Sequence, residues 1–133
     1  MRSRVKKPKP FRVLIADDHR LFAEALQAIL ASDERIEVVG QASDGSEAVA
    51  LARTLGPDVV LMDVSMPVLD GFEATREIRS GSEDTHVLML TGSNARADVD
   101  RSREAGASGY VTKDRIASEL VAAIVEVARR RLP

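Results

Sequence analysis

The sequence predicts an open, doubly wound α/β domain, in which a parallel sheet carries helices on both faces. Short β-rich runs alternate with helical patterns five times from residue 11 onward, and strand–helix units joined by short loops form parallel sheets through right-handed crossovers. Residues 59–62 are continuously apolar, which is typical of a strand buried on both faces. The 133 residues are enough for one such domain.

The predicted strands are spaced so that one helix fits between each consecutive pair. They cover residues 11–16, 36–42, 58–62, 86–90 and 108–111. Apolar residues at spacings of three and four predict the helices: Phe22, Leu26 and Ile29 in the first, and Ile116 and Leu120 in the last. Because successive strands are parallel, their carboxyl ends are expected at one rim of the sheet.

Capping residues support these helix boundaries. Asp44 or Ser43 is placed to cap the second helix, because a short oxygen-bearing side chain accepts the unpaired amides of the first turn. Gly56 and Pro57 are expected to end that helix before the third strand. Asp114 is expected to cap the last helix.

Composition excludes several classes of site. The chain has no cysteine, so it has neither a disulfide framework nor a thiolate metal site. No apolar run approaches the roughly 18 residues of a membrane span, and no apolar signal-peptide region follows the basic start. We therefore expect a soluble, cytoplasmic protein with no membrane partner.

Charge divides the chain into three expected regions. Residues 1–10 hold five basic and no acidic residues and are expected to be a disordered basic leader. Residues 11–130 are the predicted domain, and 131–133 the start of a linker or tail. With the eight basic residues of the two ends set aside, 11 of the 19 remain against 21 acidic ones. A body this acidic is a poor DNA binder by itself.

Charged and hydroxyl side chains follow the predicted strands at their carboxyl ends. Asp17 and Asp18 end the first strand, Asp63 the third and Thr91 the fourth, and Lys113 follows the fifth. Sites of doubly wound sheets lie at this rim. Three carboxylates in one cleft repel each other, so a cation is expected among them, either the lysine or a divalent ion such as Mg²⁺.

Each of these residues also has an ordinary structural explanation. Asp17 or Asp18 could cap the first helix, Asp63 could begin a loop, Thr91 could be a polar strand end, and Lys113 could be a solvated surface residue. Their coincidence at one rim favours a functional site. The two histidines are better explained structurally: His19 at the start of the first helix and His86 at the head of an apolar strand.

A set of short motifs covers residues 11–130 in a characteristic order and spacing. They are Ile15-Ala16-Asp17-Asp18-His19, Val38-Val39-Gly40, Ala42-Ser43-Asp44-Gly45, Pro57-Asp58-Val59-Val60-Leu61-Met62-Asp63, Met66-Pro67, Asp70-Gly71 and Ala105-Gly106-Ala107-Ser108-Gly109-Tyr110-Val111-Thr112-Lys113-Asp114. With them the chain resembles the receiver domain of bacterial two-component response regulators, in particular the NarL/LuxR-type subfamily. The resemblance implies a flavodoxin-like sheet of five parallel strands in the order 2-1-3-4-5.

The resemblance also implies a phosphoacceptor site. Asp63 would take a phosphoryl group from a phosphohistidine on a sensor histidine kinase or phosphotransfer protein. Mg²⁺ or Mn²⁺ would be held by Asp17, Asp18, Asp63 and the backbone carbonyl of Ser65. Such a domain is a regulator that catalyses only its own phosphorylation and dephosphorylation, not an enzyme in the usual sense.

The remaining implied roles concern the phosphoryl oxygens and a switch. Lys113 and Thr91 would each contact a phosphoryl oxygen, and Tyr110 would turn inward as Thr91 moves toward the phosphoryl group. Gly92 stands where the family admits only small residues. Ser65 and Ser93, two residues beyond Asp63 and Thr91, occupy positions that influence the lifetime of the acylphosphate.

Partners follow from the same resemblance. Homodimerisation is expected to be possible, and DNA is expected to be bound only through an output domain that this chain does not contain. We favour a receiver excised from a longer regulator over a stand-alone receiver. Two alternatives remain open: a pseudo-receiver that is never phosphorylated, and a haloacid-dehalogenase-type phosphatase. The latter requires a second aspartate where this chain has Ser65.

Overall fold

The sheet is parallel throughout in the computed structural model, which describes residues 9–82, 84–92 and 96–130. Within these ranges the strands are β1 (Phe11–Ala16), β2 (Ile36–Ala42), β3 (Val59–Asp63), β4 (His86–Thr91) and β5 (Gly109–Thr112). The helices are α1 (Arg20–Ala31), α2 (Gly45–Leu55), α3 (Gly71–Gly81), α4 (Arg96–Ala105) and α5 (Ile116–Arg129), with a 3₁₀ turn at Lys113–Arg115. The predicted alternation is confirmed.

The strand order is β2-β1-β3-β4-β5, which confirms the doubly wound sheet. The register aligns the strand ends: Asp63 lies opposite Leu90, and Thr91 lies opposite Thr112. The prediction stopped β3, β4 and β5 one residue early, before their polar last residues. Those residues continue the ladder because backbone pairing does not depend on side-chain polarity.

Two apolar layers enclose the sheet. Leu61 and Leu88 face the layer that contains α1 and α5, and Val60 and Val87 face the layer that contains α2, α3 and α4. Every residue of β3 and β4 is buried. The central strands are therefore fixed from both sides, and so are the residues at their carboxyl ends.

Local capping agrees with the sequence at α2 and differs at α5. The Asp44 side chain accepts the amide of Glu47 at 2.7 Å, and Gly56 ends α2 in the left-handed conformation with φ 56°. The prediction that Asp114 caps the last helix is wrong. Asp114 lies inside the 3₁₀ turn, and α5 starts two residues later with Arg115 at its N-cap and no side-chain capping bond.

The predicted basic leader of residues 1–10 lies outside the described residues except for exposed Lys9 and Pro10. The predicted tail of residues 131–133 also lies outside them. Among the helices that the structure does describe, none combines the length and apolar character needed to cross a membrane.

Gly71 sets how closely α3 approaches the end of β3. A Cβ atom at this position would lie 2.2 Å from the backbone oxygen of Asp63, far inside van der Waals contact. The amide of Gly71 donates to the oxygen of Val64 at 3.0 Å, and Thr75 Oγ1 donates to the Gly71 oxygen at 2.7 Å. The first turn of α3 is thus packed directly on the backbone that presents Asp63.

Gly71→Ala is therefore expected to lower the free energy of unfolding by about 1–3 kcal/mol, the usual cost of overpacking. Gly81→Ala, at the other end of the same helix, is the matched control, because its Cβ would meet only Arg53 Nε at 3.8 Å. Alanine is a better helix former than glycine, so the control should be neutral or stabilising. Urea unfolding measures both, and equal midpoints would contradict this account of Gly71.

Candidate functional site

The carboxyl ends of β1, β3, β4 and β5 bring the predicted site residues to one rim. Asp17 follows β1, Asp63 is the last residue of β3, Thr91 is the last of β4, and Lys113 directly follows β5. Asp18 stands beside Asp17 and is more exposed. The parallel register places side chains from distant parts of the sequence within one small region.

Asp63 is buried, as Asp17 is, with 2% of its surface exposed. Its Oδ1 lies 3.1 Å from Lys113 Nζ. Burial raises the pKa of Asp63, and so does the negative charge of Asp17, while Lys113 and the backbone amide of Ser65 act in the opposite direction. The rim brings together three carboxylates, Asp17, Asp18 and Asp63, and Lys113 can neutralise only one of them.

Four side chains of the rim are close enough to share a cation. One ligand atom from each of Asp17, Asp18, His19 and Asp63 lies within 4.8 Å of the others. Asp17 Oδ2 and Asp63 Oδ2 are buried, and neither has a hydrogen-bond partner within the part of the chain that the structure describes. Buried carboxylate oxygens without partners are costly, and hard oxygen ligands suit Mg²⁺ or Mn²⁺. The residues thus fit a divalent cation.

His19 has a structural position, as the sequence indicated, and also borders the acidic cluster. It is the N-cap residue of α1, and its backbone amide donates to Asp17 Oδ1 at 2.8 Å. Its Nδ1 lies 3.2 Å from Asp18 Oδ1. This hydrogen bond from the His19 amide orders one carboxylate oxygen of Asp17, Oδ1, while Oδ2 has no partner among the described residues. His86, at the opposite end of the sheet, bonds Ser108 Oγ and the Arg130 oxygen, in keeping with a structural role.

Lys113 is held by an aromatic ring as well as by Asp63. Its Nζ lies 4.8 Å from the centroid of the Phe22 ring, a favourable position for a cation. Sequence reasoning treated Phe22 only as a core residue of α1, because its spacing fits the apolar stripe. The strand order that brings α1 beside the end of β5 was needed to see this contact.

A cleft of about 410 Å³ opens in front of Asp63. Thr91, 4% exposed, lines it together with Ser65 and Gly92. A Cβ at Gly92 would meet no atom of the described chain within 4 Å, so packing there does not explain the small residue. The other predicted position of this loop, Ser93, lies outside the described residues.

Tyr110 lies outside this cleft. It is 41% exposed on β5 and lines a separate cavity of about 150 Å³ with Val99 and Arg103 of α4. In the sheet it pairs with Met89, two residues before Thr91. Because strand side chains alternate between faces, Tyr110 and Thr91 lie on the same face of the sheet.

Another pair at the cleft was missed by sequence reasoning. The Arg101 guanidinium carbon lies 4.1 Å from the centroid of the Phe72 ring, and both residues line the cleft in front of Asp63. Arg101 belongs to a helix with one of the least regular apolar patterns in the chain, and no motif singled it out. Only the packing of α4 against α3 brings it to the site.

The fold and this rim together define a class, the regulatory α/β domains of two-component signalling. Residues 13–125 match the response regulator receiver domain, and the chain belongs to that family. Its relatives are response regulators of the NarL/LuxR type, which confirms the resemblance drawn from the motifs.

Individual relatives agree in sequence and in structure. The chain is 40% identical over 118 residues to the transcriptional regulatory protein DegU of Brevibacillus brevis, covering 89% of this chain and 50% of DegU. The signal receiver domain of NarL from Mycobacterium tuberculosis superposes with a TM-score of 0.89 at 35% identity, covering 93% of this chain and 100% of that one. A chain of the CheX–CheY–BeF₃–Mg²⁺ complex from Borrelia burgdorferi superposes with a TM-score of 0.83 at 26% sequence identity, covering 91% of each chain. The chain spans about half the length of the curated relatives it matches.

Asp63→Asn is expected to stabilise the metal-free protein at neutral pH. The raised pKa means that the fold favours the protonated carboxyl, so stability is lost as pH rises through the pKa of Asp63. Below the ordinary value of 3.8 the advantage of the variant should vanish, because the wild-type carboxyl is then protonated in both states. Thermal unfolding in chelator across this pH range measures the effect.

Asp44→Asn is the matched control, since it removes the same charge and asparagine still caps a helix. Its melting temperature should stay close to that of the wild type. An Asp63→Asn variant that is less stable than the wild type in chelator at neutral pH would contradict the cost inferred for a charged Asp63 that is buried beside Asp17.

Proposed function

We propose that this domain accepts a phosphoryl group on Asp63 from a phosphohistidine of a sensor histidine kinase or phosphotransfer protein. The proposal rests on the partners of the two oxygens of the Asp63 carboxylate. One oxygen is paired with Lys113 at 3.1 Å, and the other is buried without a hydrogen-bond partner among the described residues, at the edge of an open cleft. A carboxylate that acts as a nucleophile needs one oxygen held in place and the other available to attack.

The chemistry that this geometry supports is a direct phosphoryl transfer. An Asp63 oxygen attacks phosphorus, the bond between phosphorus and the histidine nitrogen breaks, and its electron pair stays on the imidazole. Such transfers depend mostly on positioning and on stabilising charge on the phosphoryl oxygens. Lys113 supplies positive charge there, and Thr91 supplies a hydroxyl that donates to another oxygen.

Asp17, Asp18 and Asp63 would hold Mg²⁺ or Mn²⁺, with the backbone carbonyl of Ser65 as a further ligand. Bound there, the ion supplies the positive charge that the rim lacks. The solved CheX–CheY–BeF₃–Mg²⁺ complex supports this site, because beryllofluoride stands in for a phosphoryl group and that chain shares the fold. The orphaned Oδ2 of Asp17 is the local support.

The output of the domain is proposed to be transcriptional. DegU, which this chain matches over half of its length, is a transcriptional regulatory protein. DNA would be bound by an output domain, because the body of this chain is acidic. Phosphorylation would act by changing partner binding or by favouring a homodimer.

Acetyl phosphate with Mg²⁺ is expected to add one phosphoryl group to the protein, seen by intact mass as an acid-stable, base-labile adduct. Asp63→Asn and chelator should each abolish it, because they remove the nucleophile and the cation. Asp70→Asn is the matched control: Asp70 caps α3 through the amide of Glu73, asparagine retains that cap, and the adduct should persist.

An adduct on Asp63→Asn at the wild-type level would disprove the assignment of Asp63. If neither acetyl phosphate nor a phosphohistidine donor gave an adduct, and Mg²⁺ did not bind, the site would be that of a pseudo-receiver. Continuous turnover of a phosphate ester would instead indicate a phosphatase.

Tyr110 is proposed to report the phosphorylation state on the surface. Thr91 would move toward the phosphoryl group, and Tyr110, on the same face of the sheet, would turn into the space released. This is a two-state element biased by local charge. The exposed ring in this structure is one of the two arrangements that the proposal requires.

Tyr110→Ala is therefore expected to reduce the change in self-association that phosphorylation produces, without reducing adduct formation. Sedimentation velocity with and without acetyl phosphate measures self-association, and intact mass measures adduct formation. The matched control is Arg103→Gln, on the α4 wall of the same cavity. An undiminished phosphorylation-dependent change in Tyr110→Ala would exclude Tyr110 as the reporter.

A further inference from the structure

Two cations line the cleft in front of Asp63, and each lies over an aromatic ring. Lys113 lies 4.8 Å from the centroid of Phe22, and Arg101 lies 4.1 Å from the centroid of Phe72. Arginine stacks well on aromatic faces, where its N–H donors stay available at the edge of the plane. Lys113 has a proposed role in the acceptor site, whereas Arg101 has none so far.

The surroundings of Arg101 leave its charge available. No carboxylate of the described chain forms an ion pair with it within 4.0 Å, although Asp98, one turn earlier on α4, lines the same cleft. Arg101 is exposed, and the Phe72 ring beneath it is 2% exposed. The Arg101 side chain thus packs on the buried Phe72 ring and is exposed to the cleft.

The cleft is large enough to hold more of a ligand than Lys113 alone contacts, so a second residue that binds the ligand is expected in it. At about 410 Å³ it falls in the range of pockets that hold whole small molecules, and a phosphoryl group on Asp63 would occupy only the end nearest Lys113. The leaving part of a phosphodonor must lie in line with the attacking oxygen, farther out in the cleft. Arg101 and Phe72 line that same cleft.

We propose that Arg101 is a donor-binding residue of this site, which attracts the incoming anionic phosphodonor into the cleft where Asp63 attacks. This rests on the proposed phosphoacceptor function of Asp63. For acetyl phosphate, an Asp63 oxygen forms the new bond to phosphorus, the bond from phosphorus to the acetyl oxygen breaks, and acetate leaves with the electron pair. No proton transfer is required. Arg101 attracts the donor before this step and takes no part in bond breaking.

The test measures the initial rate of Asp63 phosphorylation against acetyl phosphate concentration, at fixed Mg²⁺, for wild type, Arg101→Gln, Arg101→Lys and Arg103→Gln. Arg103 is the matched control, because it is an exposed arginine of the same helix that does not line this cleft. Arg101→Gln is expected to lower the rate per donor concentration about fivefold, as for the loss of a solvent-accessible charged contact. Arg101→Lys should retain part of the rate that Arg101→Gln loses. Arg103→Gln should react at the wild-type rate.

Two further readouts separate donor binding from a structural role. Mg²⁺ affinity, measured by titration calorimetry, should be the same in Arg101→Gln and wild type. The difference in rate between them should shrink as ionic strength rises, because salt screens exposed charges. A rate for Arg101→Gln equal to that of the wild type, an equal loss in Arg103→Gln, or an equal loss of Mg²⁺ affinity would overturn the proposal.

Failure of the proposed phosphoacceptor function gives a different result. In that case the wild type itself would form no adduct, and the assignment of Arg101 would fall with that of Asp63. If the wild type forms an adduct that Asp63→Asn lacks and Arg101→Gln is as fast as the wild type, only the role of Arg101 is overturned.

Discussion

The site depends on the close approach of two buried carboxylates, Asp17 and Asp63, at the ends of adjacent strands. Burial raises the pKa of Asp63, and so does the negative charge of Asp17, a repulsion that separation of the two carboxylates would relieve. The strands cannot separate, because β1 and β3 are paired along their length and nearly all their residues are buried. The free energy of the core therefore maintains an arrangement that the site residues alone would not adopt, and this stored repulsion is what makes the rim attract cations.

Each cation near Asp63 is positioned by a different helix. Lys113 is placed by the ring of Phe22 on α1, and Arg101 by the ring of Phe72 on α3. The Phe72 ring orients Arg101 without neutralising it, whereas Lys113 is also paired with the Asp63 carboxylate at 3.1 Å. Arg101 thus keeps positive charge available to an anionic ligand beside a rim that is itself acidic.

Sequence reasoning reached the topology and the rim because both depend on local signals. Alternating strand and helix patterns set the sheet, and polar residues at strand ends mark the rim. It missed Phe22 and Arg101 as site residues because their contacts arise between elements far apart in the chain. It misplaced the cap of α5 at Asp114 because a 3₁₀ turn after β5 delays the helix, and no residue pattern distinguishes that turn from a first helical turn.

Helix α4 connects the two regions in which phosphorylation has proposed effects. Asp98 and Arg101 line the cleft in front of Asp63, while Val99 and Arg103 line the cavity beside Tyr110. Only Ser102 and Ala105 of this helix are buried, whereas α5 buries five residues. A weakly buried helix shifts at low free-energy cost, so a change of charge at Asp63 that draws Arg101 inward would also alter the wall against which Tyr110 rests. In this fold, the proposed donor-binding residue and the wall of the proposed signalling residue thus belong to one lightly packed element.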